Sequence, residues 1–135
     1  AQESLLLYPP GWLLVRRTID PDVLGGYEIP ARSDVFICPY LLHRHPDYWP
    51  DAETFDPQRF SGGETDERHR FAYIPFAVGP RHCIGEGMAM YEMLVHLQRM
   101  ARQFHFARAD DAPIELEAQV NLRPRSNLMM RVTAR

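Results

Sequence analysis

Apolar residues change their spacing several times along this chain, and each change marks an element. Residues 2–7, Q-E-S-L-L-L, read as the last turns of a helix that Pro9-Pro10 stops, because proline lacks the N–H that a helix interior needs. Residues 11–17 read as a strand. Gly25-Gly26 marks a tight turn into Y-E-I-P, and V-F-I-C-P-Y forms the next strand, so this region is a small hairpin-based sheet. P-Y-L-L-H-R-H-P then predicts one short helix. From residue 47 to 75 periodicity fades while Pro, Asp and Gly recur. Trp49, Phe55, Phe60, Phe71 and Tyr73 give that stretch apolar anchors, which makes it an ordered, packed coil.

The clearest periodic segment runs from about Gly85 to Phe104. Met88, Tyr91 and Val95 lie on one face, while Met90, Met93, Leu94, Leu97 and Phe104 extend the apolar surface around the cylinder. Apolar residues on more than one face predict a helix buried between layers. Afterwards I-E-L-E-A-Q-V-N-L and N-L-M-M-R-V-T-A, separated by Arg123-Pro124-Arg125, read as a closing antiparallel pair.

Composition narrows the function classes. With 135 residues there is room for one ordinary domain, and 45% hydrophobic and 24% charged residues are globular rather than disordered values. A net charge of −3 offers no general attraction for nucleic acid. Two cysteines, Cys38 and Cys83, cannot build a disulfide framework, and no C-x-x-C pair points to zinc. No apolar run reaches the length of a membrane span, and the first residues lack the basic start of a signal peptide. The expectation is a cytoplasmic protein in a reducing compartment.

The chemistry concentrates in F-A-V-G-P-R-H-C-I-G, Phe76 to Gly85. Cys83 stands at the mouth of the long helix, where unpaired backbone N–H groups and the positive end of the helix dipole favour a thiolate. Gly79 and Gly85 remove side chains on either side, so the backbone can turn sharply and a flat group can approach. Arg81 offers a planar fork for a carboxylate, and Phe76 an apolar wall. These parts suit an iron ligated by sulfur inside a flat, carboxylate-bearing macrocycle.

The stretch resembles the F-x-x-G-x-R-x-C-x-G signature of cytochromes P-450, the haem-thiolate monooxygenases, and fills every fixed position: Phe76, Gly79, Arg81, Cys83 and Gly85. L-Y-P-P, G-G-Y-E-I-P, P-Y-L-L-H-R-H-P, W-P-D-A-E-T-F-D-P-Q-R-F and N-L-R-P-R are similar, in the same order, to the C-terminal third of that family. The resemblance spans nearly all of residues 1–135 and implies a single partial domain of α+β class. Its parts would be the end of the K helix, a small β-sheet, the K' helix, the meander coil, the Cys-ligand loop, a long buried L helix and a closing β-hairpin. It implies a bacterial-type enzyme that inserts one oxygen atom from dioxygen into a small organic substrate, using heme b (iron protoporphyrin IX) and an electron donor, a ferredoxin or flavoprotein reductase. Cys83 would be the axial iron ligand. Arg81 and Arg16 would pair with haem propionates, with Arg17 the neighbouring candidate, and Phe76 would pack near the sulfur. Arg59 would pair with Glu3. The family's donor-docking surface would fall near Arg68, Arg70, Arg99 and Arg102, and the hairpin near Asn121 to Arg125 would touch the substrate pocket.

Two residues depart from the pattern. The family's E-x-x-R carries arginine where this chain has Leu6, which leaves Glu3 and Arg59 as a two-charge remnant and predicts weakened haem retention or folding. Arg32 replaces a glycine expected at a turn, and strains the backbone if that turn needs a positive φ. The family's central helix, with its acid–threonine pair, is not among these residues. Two alternatives therefore stand beside the monooxygenase: a non-catalytic fragment or degenerate homologue without haem, and a haem-thiolate isomerase, dehydratase or peroxygenase. Elsewhere bland roles are expected. Cys38 packs in a strand, and His43 and His45 are structural rather than a metal pair. His82 is a surface or edge residue, the methionines fill core, and Asp110-Asp111 forms a solvated turn.

Overall fold

The computed structural model describes residues 1–61 and 68–135, so the part of the long coil at residues 62–67 lies outside the described residues. The chain opens with helix α1 (Gln2–Leu7), ended by the two prolines. Strand β1 (Leu14–Arg17) pairs antiparallel with β4 (Asp34–Ile37), Leu14 opposite Ile37 and Arg17 opposite Asp34. Between them, β2 (Asp22–Leu24) and β3 (Tyr27–Ile29) form a hairpin whose turn residues Gly25 and Gly26 both take positive φ, as a tight two-residue turn requires. Pro39 opens α2 (Pro39–Leu42), and a 3-10 turn at Pro57–Phe60 punctuates the coil. A second 3-10 turn, Gly79–Arg81, precedes helix α3 (Glu86–Gln103).

The core sits beneath α1, where Leu6, Trp49, Ala52 and Ala72 bury together, with Tyr48, Phe60 and Tyr73 packed against them. Trp49 Nε1 donates to the Ala72 carbonyl at 3.0 Å, so the indole is satisfied as well as buried. Two expected anchors of the coil, Phe55 and Phe71, are exposed instead. The ordered, packed character of the coil thus comes from Trp49, Phe60 and Tyr73.

Two further expectations change. α3 forms where its periodicity placed it, but none of its residues is buried: Met88 is 69% and Tyr91 70% exposed. Among the described residues no second layer covers its apolar faces. The closing pair is also different. I-E-L-E-A and N-L-R-P form their own hairpin, β6 (Leu116–Ala118) with β7 (Leu122–Pro124). Strand β8 (Met130–Ala134) pairs instead with β5 (Phe104–Arg108), which leaves α3 without a turn. Among the described residues each sheet is two-stranded, and the architecture is α+β.

Candidate functional site

The loop carrying Cys83 is shaped by its backbone. Ala77 N–H donates to the Ile74 carbonyl at 3.1 Å, with Ala77 itself at φ +60°, a left-handed conformation that costs any residue with a Cβ. Gly79 follows at φ +72°, where glycine carries no such penalty. Cys83 N–H then donates to the Phe76 carbonyl at 2.9 Å, closing the loop two residues before the N-cap of α3. Gly85 has a negative φ of −88°, and a Cβ there would meet Cys83 Sγ at 3.7 Å, an ordinary contact. Glycine at 85 therefore keeps one side of the sulfur open rather than enabling the turn.

Cys83 is an exposed free thiol that opens into an apolar groove of about 380 Å³. Leu5 from α1, Leu14 from β1, Phe76 from the loop and Met93 from α3 wall it, and Arg81 joins Cys83 in its lining. Alternation along β1 puts Arg16 on the same strand face as Leu14. Arg17 points the other way into a two-bond pair with Asp34, at 2.7 and 2.8 Å. That pair raises the Arg17 pKa and lowers that of Asp34. Of the two candidates, Arg16 is the one whose guanidinium lacks an ion-pair partner among the described residues; its Nη1 only donates to its neighbour's carbonyl, Val15 O, at 2.9 Å. The β6–β7 hairpin is tied to the groove, since Leu122 N–H donates to the carbonyl of Pro10, a lining residue, at 2.9 Å. A second cavity of about 280 Å³ lies over Trp49 and Arg68, and Cys83 does not line it.

Glu3 and Arg59 come together as expected, but incompletely. Arg59 Nε lies 3.4 Å from Glu3 Oε1, an ion pair without hydrogen-bond alignment; among the described residues Nε and the buried Glu3 Oε2 both lack a hydrogen-bond partner. Glu3 Oε1 accepts the Asp56 N–H at 2.9 Å, and the Arg59 fork holds the carbonyls of Pro50, Asp51 and Thr54. Leu6 is fully buried among apolar residues. The slot where relatives would place a third charge has become core. At residue 32 the expected strain is real, with Arg32 at φ +64°.

Two histidines do more than the sequence disclosed. His43 is fully buried and stacks on Tyr73, with ring centroids 5.2 Å apart. Its Nε2 accepts the Ile74 N–H at 3.0 Å, which leaves Nδ1 to donate to the Leu6 carbonyl at 3.2 Å. Burial pulls its pKa down to about 4 against the opposing hydrogen bonds to Leu6 and Leu5, with Arg44 adding repulsion. Burial, together with the charges of Glu86 and Glu3, raises Tyr73 far above the ordinary phenol. Arg44 finishes α1 by donating to the Leu7 carbonyl at 2.7 Å, and pairs with Glu53. His82 is solvent-facing but not idle: Nε2 lies 2.5 Å from Glu86 Oε2 and Nδ1 3.2 Å from the Ala77 carbonyl. Its spacing of four from Glu86 was the available signal. Of the four arginines singled out for a partner, Arg68 is turned onto Trp49 (4.2 Å) and Arg70 onto Phe71 (4.4 Å), while Arg99 and Arg102 stand exposed on α3.

Comparison with known proteins agrees with this geometry. The family described as Cytochrome P450 matches residues 1–132. The chain is 40% identical over 137 residues to the protein LUTEIN DEFICIENT 5, chloroplastic, of Arabidopsis thaliana, covering 98% of this chain and 23% of that one. It is 39% identical over 124 residues to the putative cytochrome P450 132 of Mycobacterium bovis, covering 92% of this chain and 27% of the relative. Its structure superposes on the retinoic acid bound cyanobacterial CYP120A1 with a TM-score of 0.93 and 32% identity, over 98% of this chain and 31% of that one. The cytochrome P450DA heme domain gives a TM-score of 0.93 at 27% identity, over 99% and 30%. The chain thus spans less than a third of the length of these relatives. By sequence profile, by identity and by fold, it belongs to the cytochrome P450 family.

Proposed function

We propose that residues 1–135 are the C-terminal, haem-binding portion of a longer monooxygenase that inserts one oxygen atom from dioxygen into a small organic molecule. The observation that carries this reading is an exposed cysteine in the lining of an apolar groove that an arginine also lines. That donor set fits heme b: a soft thiolate for iron, apolar walls for the macrocycle and guanidinium groups for its carboxylate edge. Cys83 is the metal ligand on this reading. Arg81 and Arg16 neutralise the propionates, and Phe76 keeps water from the sulfur. Bound haem supplies the redox and oxygen chemistry, and thiolate ligation favours cleavage of the O–O bond.

Surface area supports the longer protein. The chain exposes 10505 Å². A compact monomer of its mass would expose roughly 7,300 Å². The partner this reading requires is an electron donor, a ferredoxin or flavoprotein, and the exposed Arg99 and Arg102 suit an acidic one. A chain that holds no haem is the second reading, favoured by the unpartnered Glu3 Oε2. Hemin titration followed by reduction under carbon monoxide separates the two. The expected product has a thiolate-type Soret band that Cys83→Ser abolishes and Cys38→Ser leaves intact. A nitrogen-type spectrum, or one indifferent to Cys83→Ser, overturns the haem-thiolate reading.

A further inference from the structure

The residue just before the proposed ligand, His82, faces solvent, yet both of its ring nitrogens are engaged. Nδ1 lies 3.2 Å from the carbonyl oxygen of Ala77, at the entrance of the loop, and Nε2 lies 2.5 Å from Glu86 Oε2, in the first turn of α3. Ala77 is the loop residue held at φ +60°, so the ring grips a point where the backbone of the loop is strained. Cys83 lies between the two points that the imidazole joins. Its own backbone is fixed on one side by the hydrogen bond from its N–H to the Phe76 carbonyl. On the other side, Glu86 N–H reaches the Cys83 carbonyl only at 3.4 Å, a weak closure. Without the side-chain bridge, the stretch from Val78 to Ile84 would rest on one good backbone bond across its neck and the short bond of the 3-10 turn, His82 N–H to Gly79 O.

We infer that His82 and Glu86 form a clamp across the Cys83 loop, and that His82 is a positioning residue which fixes the direction of the sulfur. This rests on the haem-thiolate reading for its consequence, but the geometry of the clamp does not. Truncating either partner releases the same constraint, so the two effects should not add.

The test uses the hemin-loaded chain and its His82→Ala, Glu86→Ala, Glu86→Gln and His82→Ala/Glu86→Ala variants. Haem transfer to an excess of an acceptor globin, and the thiolate-type fraction of the ferrous carbonyl spectrum, are measured for each. Both alanine variants are expected to release haem roughly fivefold faster, the equivalent of one ordinary hydrogen bond. Each should also lose part of the thiolate-type band, and the double variant should be no worse than either single one. Glu86→Gln keeps a side-chain amide within reach, whose oxygen meets an Nε2–H and whose NH2 meets a bare Nε2, and should stay near the parent. Wild-type rates in His82→Ala, or additive losses in the double variant, overturn the clamp. In a Trp12→Phe background, a urea midpoint followed by Trp49 fluorescence should hardly move, because Trp49 belongs to the core beneath α1, and a large shift would assign the effect to general unfolding and also overturn it. If the parent chain itself shows no thiolate-type spectrum, it is the function reading that fails. The clamp is then read in haem-free protein carrying Cys38→Ser: His82→Ala should alkylate several-fold faster at Cys83, and equal rates would dismiss it.

Discussion

Lowering the pH should unfasten this protein at His43. The imidazole is fully buried between α1, Tyr73 and the coil at Ile74, and holds one hydrogen bond as acceptor and one as donor. A second proton on Nε2 would put two N–H groups face to face at Ile74. Burial therefore depresses the folded-state pKa from 6.5 to about 4, helped by the charge of Arg44 and resisted by the Leu6 and Leu5 carbonyls. Between those two values the unfolded chain binds more protons than the folded one. Stability is then complete above pH 6.5, falls as pH drops toward 4, and changes no further through this residue below that.

A difference of about 2.5 pKa units corresponds to about 3 kcal/mol. With a urea slope typical of a small domain, that moves the unfolding midpoint by roughly 2 M between pH 7 and pH 4. The other five histidines are all exposed and are present in both the parent and a His43→Gln variant. His43→Gln removes the titrating group, so it should lower the midpoint at pH 7 and flatten the curve between pH 4 and 6.5. Carboxylate titration is common to both proteins and cancels in the difference. A direct check is the ring proton of His43 in an NMR titration, together with the nitrogen shifts that report an Nδ1–H tautomer. An apparent pKa near 6.5, or a proton on Nε2, would refute the reasoning.

Leu6→Ala should cost about 3 kcal/mol in urea unfolding, because it opens a cavity beside Trp49, whereas Leu6→Met should cost less than about 1.5 kcal/mol. Arg32→Gly should raise stability by about 1 kcal/mol, since it relieves φ +64° at an exposed turn; a thermal scan that moves downward would show that the backbone is not strained there. In the longer protein proposed here, reversing Arg99 and Arg102 to Glu should slow reduction by an acidic donor and flatten its salt dependence, and stopped-flow rates unchanged by the reversal would remove that face as the docking surface.

What could be read from sequence was what is local in the chain. Gly25-Gly26 specifies its turn through φ, Pro39 opens its helix, and the spacing of Phe76, Gly79, Arg81, Cys83 and Gly85 marks the loop without reference to anything distant. The strand after α3 escaped notice because Gln103-Phe104-His105 continues the helical spacing of apolar residues straight into β5. Its partner, β8, reads as a strand in the sequence, but which strand it pairs with is decided by packing across more than twenty residues. The bonds of His43 and His82, the His82–Glu86 pair at a spacing of four excepted, are hidden for another reason. Apart from Glu86 and the Ile74 N–H, their partners are carbonyl oxygens, which every residue carries and no sequence pattern marks.

Those two histidines bracket one short run of backbone, and their positions explain how a small core can stiffen a distant exposed thiol. His43 joins the Leu6 carbonyl at the end of α1 to the Ile74 N–H. The Ile74 carbonyl accepts from Ala77, the Ala77 carbonyl meets His82, and the Phe76 carbonyl accepts from Cys83. Each step is a hydrogen bond from or to the run between residues 74 and 77, so the sulfur inherits its position from α1 even though Cys83 itself is exposed. The same arrangement bears on what Leu6 can cost the loop. A buried ion network replaced by packed apolar residues is often no less stable. Here the carbonyl of that same residue, not its side chain, carries the connection toward the loop. Losing the arginine side chain removes a partner for Glu3 Oε2 while leaving the route from α1 to Cys83 intact.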